Sequence, residues 1–304
     1  MILTITPNPS IDVSYYLEEF QVGGVYRCHN TVKTPGGKGL NVSKVLHLLG
    51  EEIIATGFIG GRNGNYIKDQ LDQMKINHLF TPIHGETRTC IAISARGEIT
   101  EVRENGPTVT EEDKEAFFES LSRMKNITTI SLSGSLPNGL EVTFLHEVLA
   151  YAKDKKVIYD VSGDSLKYIV NESTIKPFAI KPNIDELAAL MDKRVSEINP
   201  IEDIKKIEGI PLVVLSLGKD GAIAKYKDQI YECQVPTIEA VSPVGSGDST
   251  IAGISYGLEH DLSIPDTLKL AMSLGVLNTL EEETGYVDIS QLEKTKKQII
   301  IKER

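Results

Sequence analysis

Short apolar runs rich in β-branched residues recur along the chain at Ile2–Ile5, Ile53–Phe58, Thr128–Leu132, Val157–Tyr159, Phe178–Ile180 and Leu212–Leu217. Each is too short for a helix and reads as a strand. Helical spacing falls between them. Val42, Val45, Leu46 and Leu49 repeat at i, i+3, i+4 and i+7 and stop at Gly50, a favourable residue just past a helix end. Glu111–Met124 opens after Thr110 with an acidic first turn, and Leu145–Ala152 forms a further amphipathic stretch. This alternation predicts an α/β fold: a central, mostly parallel sheet with helices on both faces.

Two stretches break the rhythm. Ser14–Thr34 and Thr87–Val102 read as short strands with turns at Gly23-Gly24 and Arg96-Gly97. They predict a small β-sheet lid, inserted at about residues 12–34 and 87–104, beside the main body. No internal repeat, low-complexity tract or Pro/Gly/Ser-rich linker divides the chain, so residues 1–304 are read as one domain.

Composition narrows the function classes. Of the 304 residues, 40% are hydrophobic and 25% charged, as in ordinary globular proteins. No apolar stretch approaches the ~18 residues of a membrane span. Met1–Thr6 reads as a strand and not as a signal peptide, which leads us to expect a cytoplasmic protein without membrane contact. The net charge of −11 argues against a nucleic-acid surface. It also requires a local Arg/Lys cluster if the substrate is an anion. Cys28, Cys90 and Cys233 are scattered without metal-binding or disulfide spacing.

The richest chemistry lies at Val244-Gly245-Ser246-Gly247-Asp248-Ser249, just ahead of the helical run Thr250–Leu258. Small residues there let successive backbone N–H groups converge at a helix N-terminus, which makes an anion site. An aspartate at that mouth repels a phosphate, yet it makes sense as a base that deprotonates an attacking hydroxyl. The pattern points to phosphoryl transfer. Aspartate is also a favoured helix cap, but the flanking glycines exceed what a cap requires. Gly253 and Gly257, one turn apart, predict close packing of this helix on the sheet.

Familiar nucleotide machinery is missing. Gly36-Gly37-Lys38-Gly39 lacks the spacing and the hydroxyl of a Walker A loop. Gly245-x-Gly247 continues to Thr250 where a dinucleotide fingerprint needs Gly or Ala, which disfavours an oxidoreductase. Protein-kinase signature strings do not occur.

Other segments admit two readings each. Pro35–Asn41 is either a flexible turn into a helix or a close-approach surface in which Lys38 supplies charge and Asn41 meets sugar hydroxyls. Asp12, after the first strand, is either a turn residue or a carboxylate holding two adjacent hydroxyls. Asn183 and Glu186 form a capping-box pattern after Lys181-Pro182, or they lie near the waters of a Mg²⁺–nucleotide complex. Ser216–Gly221 is a β-turn or the wall of a nucleotide site.

Taken in order, Asn8–Asp12, Gly36–Asn41, Thr87-Arg88, Ser133–Pro137, Lys181–Glu186, Ser216–Gly221 and Gly245–Asp248 resemble the motifs of the ribokinase-like carbohydrate kinases, in the phosphofructokinase-B branch. The resemblance spans nearly the full length. Ser162–Leu166, Ser216–Lys225 and Pro243–Gly253 look most like members that phosphorylate tagatose 6-phosphate. Ser246 stands where the branch usually has Ala, which leaves the main-chain donors intact.

The resemblance implies ATP and Mg²⁺ as cofactors, with Asp248 as general base on the C1 hydroxyl of the sugar phosphate. Gly245, Ser246 and Gly247 would stabilise the transferring phosphoryl group. Asp12, Gly36, Gly37, Asn41 and Ser135 would line the sugar site, and Arg88, assisted by Arg27 and Lys38, would grip the 6-phosphate. Lys181, Asn183, Glu186, Ser216, Gly218 and Gly221 would face the nucleotide, with Asn278 on the adenine side; Asn183 and Glu186 would reach Mg²⁺ through water. Two alternatives stay open: a 1-phosphofructokinase, and a non-catalytic sugar-phosphate sensor. The exposed strand edges of the lid lead us to expect a homodimer through the lid strands.

Overall fold

In the computed structural model, which describes residues 1–304, the first strand β1 (Ile2–Thr6) is buried on both faces. Its side chains alternate: Ile2 joins one apolar cluster of 35 buried residues, and Leu3 and Ile5 join another of 28. The two clusters lie on opposite faces of one ten-stranded sheet. Its order is β14-β13-β12-β11-β10-β9-β8-β1-β4-β5. Here β4 is Ile53–Ile59, β5 Thr81–Pro82, β8 Thr129–Ser133, β9 Lys156–Asp160 and β10 Ala179–Ile180. β11 is Leu212–Ser216, β12 Ala222–Tyr226, β13 Gln229–Gln234 and β14 Ile300–Glu303. Along the sheet, the neighbours in the run β11-β10-β9-β8-β1-β4-β5 all pair in parallel.

The first cluster takes its helical residues from α1 (Lys38–Leu48), α2 (Gly61–Gln73), α8 (Ser246–Glu259), α9 (Ile264–Thr279) and α10 (Leu292–Lys296). The second takes them from α3 (Glu111–Arg123), α4 (Thr143–Tyr151), α5 (Gly163–Lys167), α6 (Ile184–Leu190) and α7 (Pro200–Lys205). This is the α/β architecture read from the alternation, and no helix is long and apolar enough to cross a membrane.

Chain order in the sheet reverses at β1: β4 lies on one side and β8 on the other. In open α/β sheets the crevice beyond the carboxyl ends of such strands is where ligands bind. The lid stands over that end. Its four strands run in the order β3-β2-β6-β7, with β2 Ser10–Leu17, β3 Thr31–Gly36, β6 Arg88–Ala95 and β7 Glu98–Arg103.

The structure departs from the reading in several places. Strands β12, β13 and β14 extend the sheet antiparallel, which the strand–helix rhythm did not announce. In the lid, Arg96-Gly97 forms a tight turn with both residues at positive φ, as expected, but Gly23-Gly24 does not join two strands directly. It sits within residues 18–30, where Gly24 N–H donates to the Gln21 carbonyl in a local turn. Finally, Gly253 and Gly257 pack α8 against α9 and not against the sheet. A methyl group at Gly253 would lie 2.4 Å from Ala271 Cα, and one at Gly257 2.4 Å from Thr267 Oγ1. The three cysteines are unpaired.

Candidate active site

Asp248 occupies the third position of α8 and is buried. The turn before the helix is made by Gly245, whose φ of 86° lies in the left-handed region that a side chain disfavours. The first-turn N–H groups therefore face the crevice with no partner inside the helix. Asn41, on α1, donates from Nδ2 to Asp248 Oδ2 at 2.8 Å, which fixes the carboxylate. Burial first, and then the negative charge of Asp160, push the Asp248 carboxyl up to about 6. Lys38, the Asn41 hydrogen bond and Lys181 oppose that rise. A buried carboxylate tuned toward neutrality suits a general base.

Asp160 is the residue that the sequence reading missed. It ends β9 and is 1% exposed, with Lys38 Nζ 3.2 Å from Oδ2 and Lys181 Nζ 3.5 Å from Oδ1. Burial alone would raise its pKa, but Lys181 and Lys38 hold it below the ordinary carboxylate range. Asp160 in turn raises the pKa of Lys38, which stays protonated. The signal was present in the sequence: a lone carboxylate at the carboxyl end of an apolar strand.

Lys181 reaches the anion-binding turn itself, since a methyl group on Gly247 would lie 3.1 Å from its Nζ. A buried ammonium beside unpaired helix amides makes a strong anion site. Ser135 lies exposed in the loop after β8, where Gly134 N–H donates to the Asp160 carbonyl.

Where the sugar is expected, Asp12 of β2 and Gly36 of β3 meet. A methyl group at Gly36 would fall 2.0 Å from Asp12 Cγ, so only glycine admits this carboxylate. Ser10 donates to Asp12 Oδ1 at 2.6 Å. Gly37 caps α1 ahead of Lys38. Arg88, at the start of β6, donates to the carbonyls of Asn8 at 2.9 Å and Glu104 at 3.3 Å. In register beside Asp12 come Cys90 on β6 and then Arg103 on β7, so Arg103 shares the lid face that carries Asp12. Strand register is what reveals Arg103. Arg27 lies exposed in residues 18–30 and makes no salt bridge. Lys38, expected with Arg88, pairs instead with Asp160.

Where the nucleotide is expected, Asn183 and Glu186 form a reciprocal capping box on α6: Glu186 N–H donates to Asn183 Oδ1 at 2.8 Å, and Asn183 N–H to Glu186 Oε2 at 2.9 Å. The second oxygen of Glu186 has no protein partner. No group of three His, Cys, Asp or Glu is placed to enclose a metal ion. That donor set suits a hydrated Mg²⁺ carried in on nucleotide phosphates better than a protein-caged ion. Ser216 bonds Pro182 through its N–H at 3.0 Å and so sits beside the cap. Gly218 and Gly221 bound the turn that follows, and Gly221 backs onto the Cys233 carbonyl. Asn278, expected at adenine, is fully buried, and its Nδ2 donates to the carbonyls of Tyr286 at 2.9 Å and Glu283 at 3.4 Å.

A basic and carboxylate-bearing crevice beneath a strand lid is the site that this α/β fold presents. Residues 6–291 match the model of the pfkB family carbohydrate kinases. The chain belongs to that family and is a sugar-phosphate kinase. It is 42% identical, over 98% of each chain, to the tagatose-6-phosphate kinase of Staphylococcus epidermidis. Among solved structures it resembles a Thermotoga maritima protein described as a possible 1-phosphofructokinase, with a TM-score of 0.87 and 26% identity over 100% of this chain and 99% of that one. It also shares its fold with phosphofructokinase-2 of Escherichia coli, with a TM-score of 0.89 and 24% identity over 97% and 98% of the two chains.

Proposed function

We propose that the protein transfers the γ-phosphoryl group of ATP to the C1 hydroxyl of tagatose 6-phosphate, giving tagatose 1,6-bisphosphate and ADP. One observation carries the reading: a buried carboxylate, Asp248, held by Asn41 in the first turn of a helix whose leading N–H groups have no partner inside the helix. Asp248 takes the C1 hydroxyl proton as the oxygen attacks the γ-phosphorus and the bond to the ADP oxygen breaks. The N–H groups of the Gly245–Gly247 turn, with Lys181, stabilise the charge on the migrating group. Lys38, turned toward Asp160, adds positive charge at that end of the crevice. Asp12 and Asn41 orient the sugar hydroxyls, and Arg88 grips the 6-phosphate. Mg²⁺, when bound, neutralises phosphate charge; Glu186 and Asn183 would hold it through water.

The choice of sugar rests on the 42% identity with the Staphylococcus epidermidis enzyme. ADP release measured with tagatose 6-phosphate, fructose 6-phosphate and fructose 1-phosphate tests it. The expected order of kcat/KM places tagatose 6-phosphate first. A much higher value with fructose 1-phosphate makes the protein a 1-phosphofructokinase instead.

A further inference from the structure

Lys44 is a buried cation that the reaction scheme leaves without a task. It lies on α1, one turn beyond Asn41 and on the same helix face, and is 5% exposed. Its Nζ donates to one carbonyl, that of Thr284, at 3.1 Å. Burial pulls its pKa down, while the carboxylates of Glu283, Asp12 and Asp248 oppose that fall. A methionine would fill the same space without desolvating a charge, so packing alone does not explain an ammonium here.

The carbonyl that Lys44 engages belongs to a segment wedged between two parts of the catalytic apparatus. A methyl group on Gly285 would lie 2.9 Å from Asn41 Cα, so this backbone rests directly on the residue that holds Asp248. One on Gly245 would lie 3.3 Å from Thr284 Cβ and 3.4 Å from Gly285 N, so the same segment also backs the anion-binding turn. Asn278 secures it from below through the carbonyls of Glu283 and Tyr286. Lys44 is the latch on the side of α1.

We infer that Lys44 is a positioning residue for phosphoryl transfer: by holding the Thr284 carbonyl it seats residues 283–286 against Asn41 and Gly245, and so sets Asp248 relative to the phosphoryl-binding amides. The inference rests on phosphoryl transfer at Asp248, not on which sugar phosphate is accepted. Lys44 acts through this segment and not by contact with the reacting groups, so its loss falls chiefly on kcat. A misplacement of about 1 Å in a reacting group lowers rates by ~10²-fold.

The test is Lys44→Ala with three readouts. The expected results are a kcat lowered ~10–10²-fold with KM for sugar phosphate and ATP within about threefold, faster amide exchange in peptides covering residues 281–287, and recovery of kcat by n-propylammonium but not by n-propanol. A kcat within about twofold of wild type, unchanged exchange at 281–287, or equal recovery by the neutral alcohol overturns the inference. If Lys44→Ala does not fold, Lys44→Arg and Gly285→Ala carry the test. Lys44→Arg is expected to keep most of kcat. Gly285→Ala, which lifts the same segment with Lys44 intact, is expected to lower kcat at unchanged KM; wild-type turnover in Gly285→Ala overturns the inference. Absence of sugar-phosphate-dependent ADP release from the wild-type protein would instead remove the functional reading, while the exchange response still reports on the latch.

Discussion

At the phosphoryl end of the crevice, Asp160, Lys181 and Asp248 are each 6% exposed or less and stand on strand ends and a helix packed into the core. Across the crevice, β7 is exposed along its whole length, and Arg103 on it is paired only with the neighbouring Glu101. Charges at the first end are desolvated and fixed before any ligand arrives, so their interactions are strong and need little reorganisation. The lid has few buried contacts and can move at low cost in free energy. Under the proposed reaction, the contrast predicts that the core sets rate and the lid sets sugar affinity.

The sharpest way to break that contrast is Asp248→Asn. It is expected to lower kcat ~10²–10⁴-fold while sugar-phosphate affinity, measured by calorimetry, stays within a few-fold. Unchanged turnover removes Asp248 from the chemistry. On the lid side, Arg88→Ala is expected to raise KM for the sugar phosphate ~10–10²-fold, the loss of charge-assisted hydrogen bonds worth about 1.5–3 kcal/mol, with a smaller effect on kcat. Steady-state kinetics decide: a fall in kcat at constant KM would place Arg88 with the phosphoryl-transfer groups.

Asp160→Asn sharpens the core side. The Asp160 charge helps to raise the Asp248 pKa, so its removal is expected to shift the acid limb of kcat to lower pH, read from a pH–rate profile. An acid limb that stays in place would mean that burial alone sets the Asp248 pKa.

The smallest effect is on stability. A carboxyl whose folded pKa lies above its unfolded value binds more protons in the folded state, so ionising it destabilises the fold as pH rises through that window. Asp248, raised from 3.8 to about 6, is therefore expected to destabilise the folded protein at pH 8. Asp248→Asn should raise Tm by a few degrees at pH 8, equivalent to roughly 1–3 kcal/mol, with the gain vanishing below about pH 4. A variant that melts lower at pH 8 would show that the ionised carboxylate is stabilised in place.

What the sequence disclosed follows the same division. Six of the parallel strands were legible because each is a buried apolar run, whereas β5, two residues long with Pro82 exposed, was not; the phosphoryl-binding turn was legible because its donors are consecutive residues, Gly245 to Asp248. Helix α2 was not anticipated, since only Gly64, Ile67 and Leu71 are buried on a mostly polar stretch. The antiparallel strands β12 to β14 were missed because the strand–helix rhythm carries no signal for an edge hairpin. Asp160 left one trace, its place at the end of an apolar strand, but its role and that of Lys44 come from contacts with residues far away in the chain. Arg103 needed the lid register. For Asn183 and Glu186, the helix-cap reading describes the observed bonds, and the nucleotide role remains a proposal built on one carboxylate oxygen.

The central claim is that Asp248 works as the ionised base. Its most direct test is the pH dependence of kcat at saturating sugar phosphate and ATP, measured in parallel for the wild-type protein and Asp248→Asn. The expected result is an acid limb near pH 6 in the wild type that is absent from the residual activity of the variant. A limb caused by titration of the substrate phosphate would appear in both proteins, so its absence from the variant assigns the wild-type limb to Asp248. The same limb in both would contradict the claim.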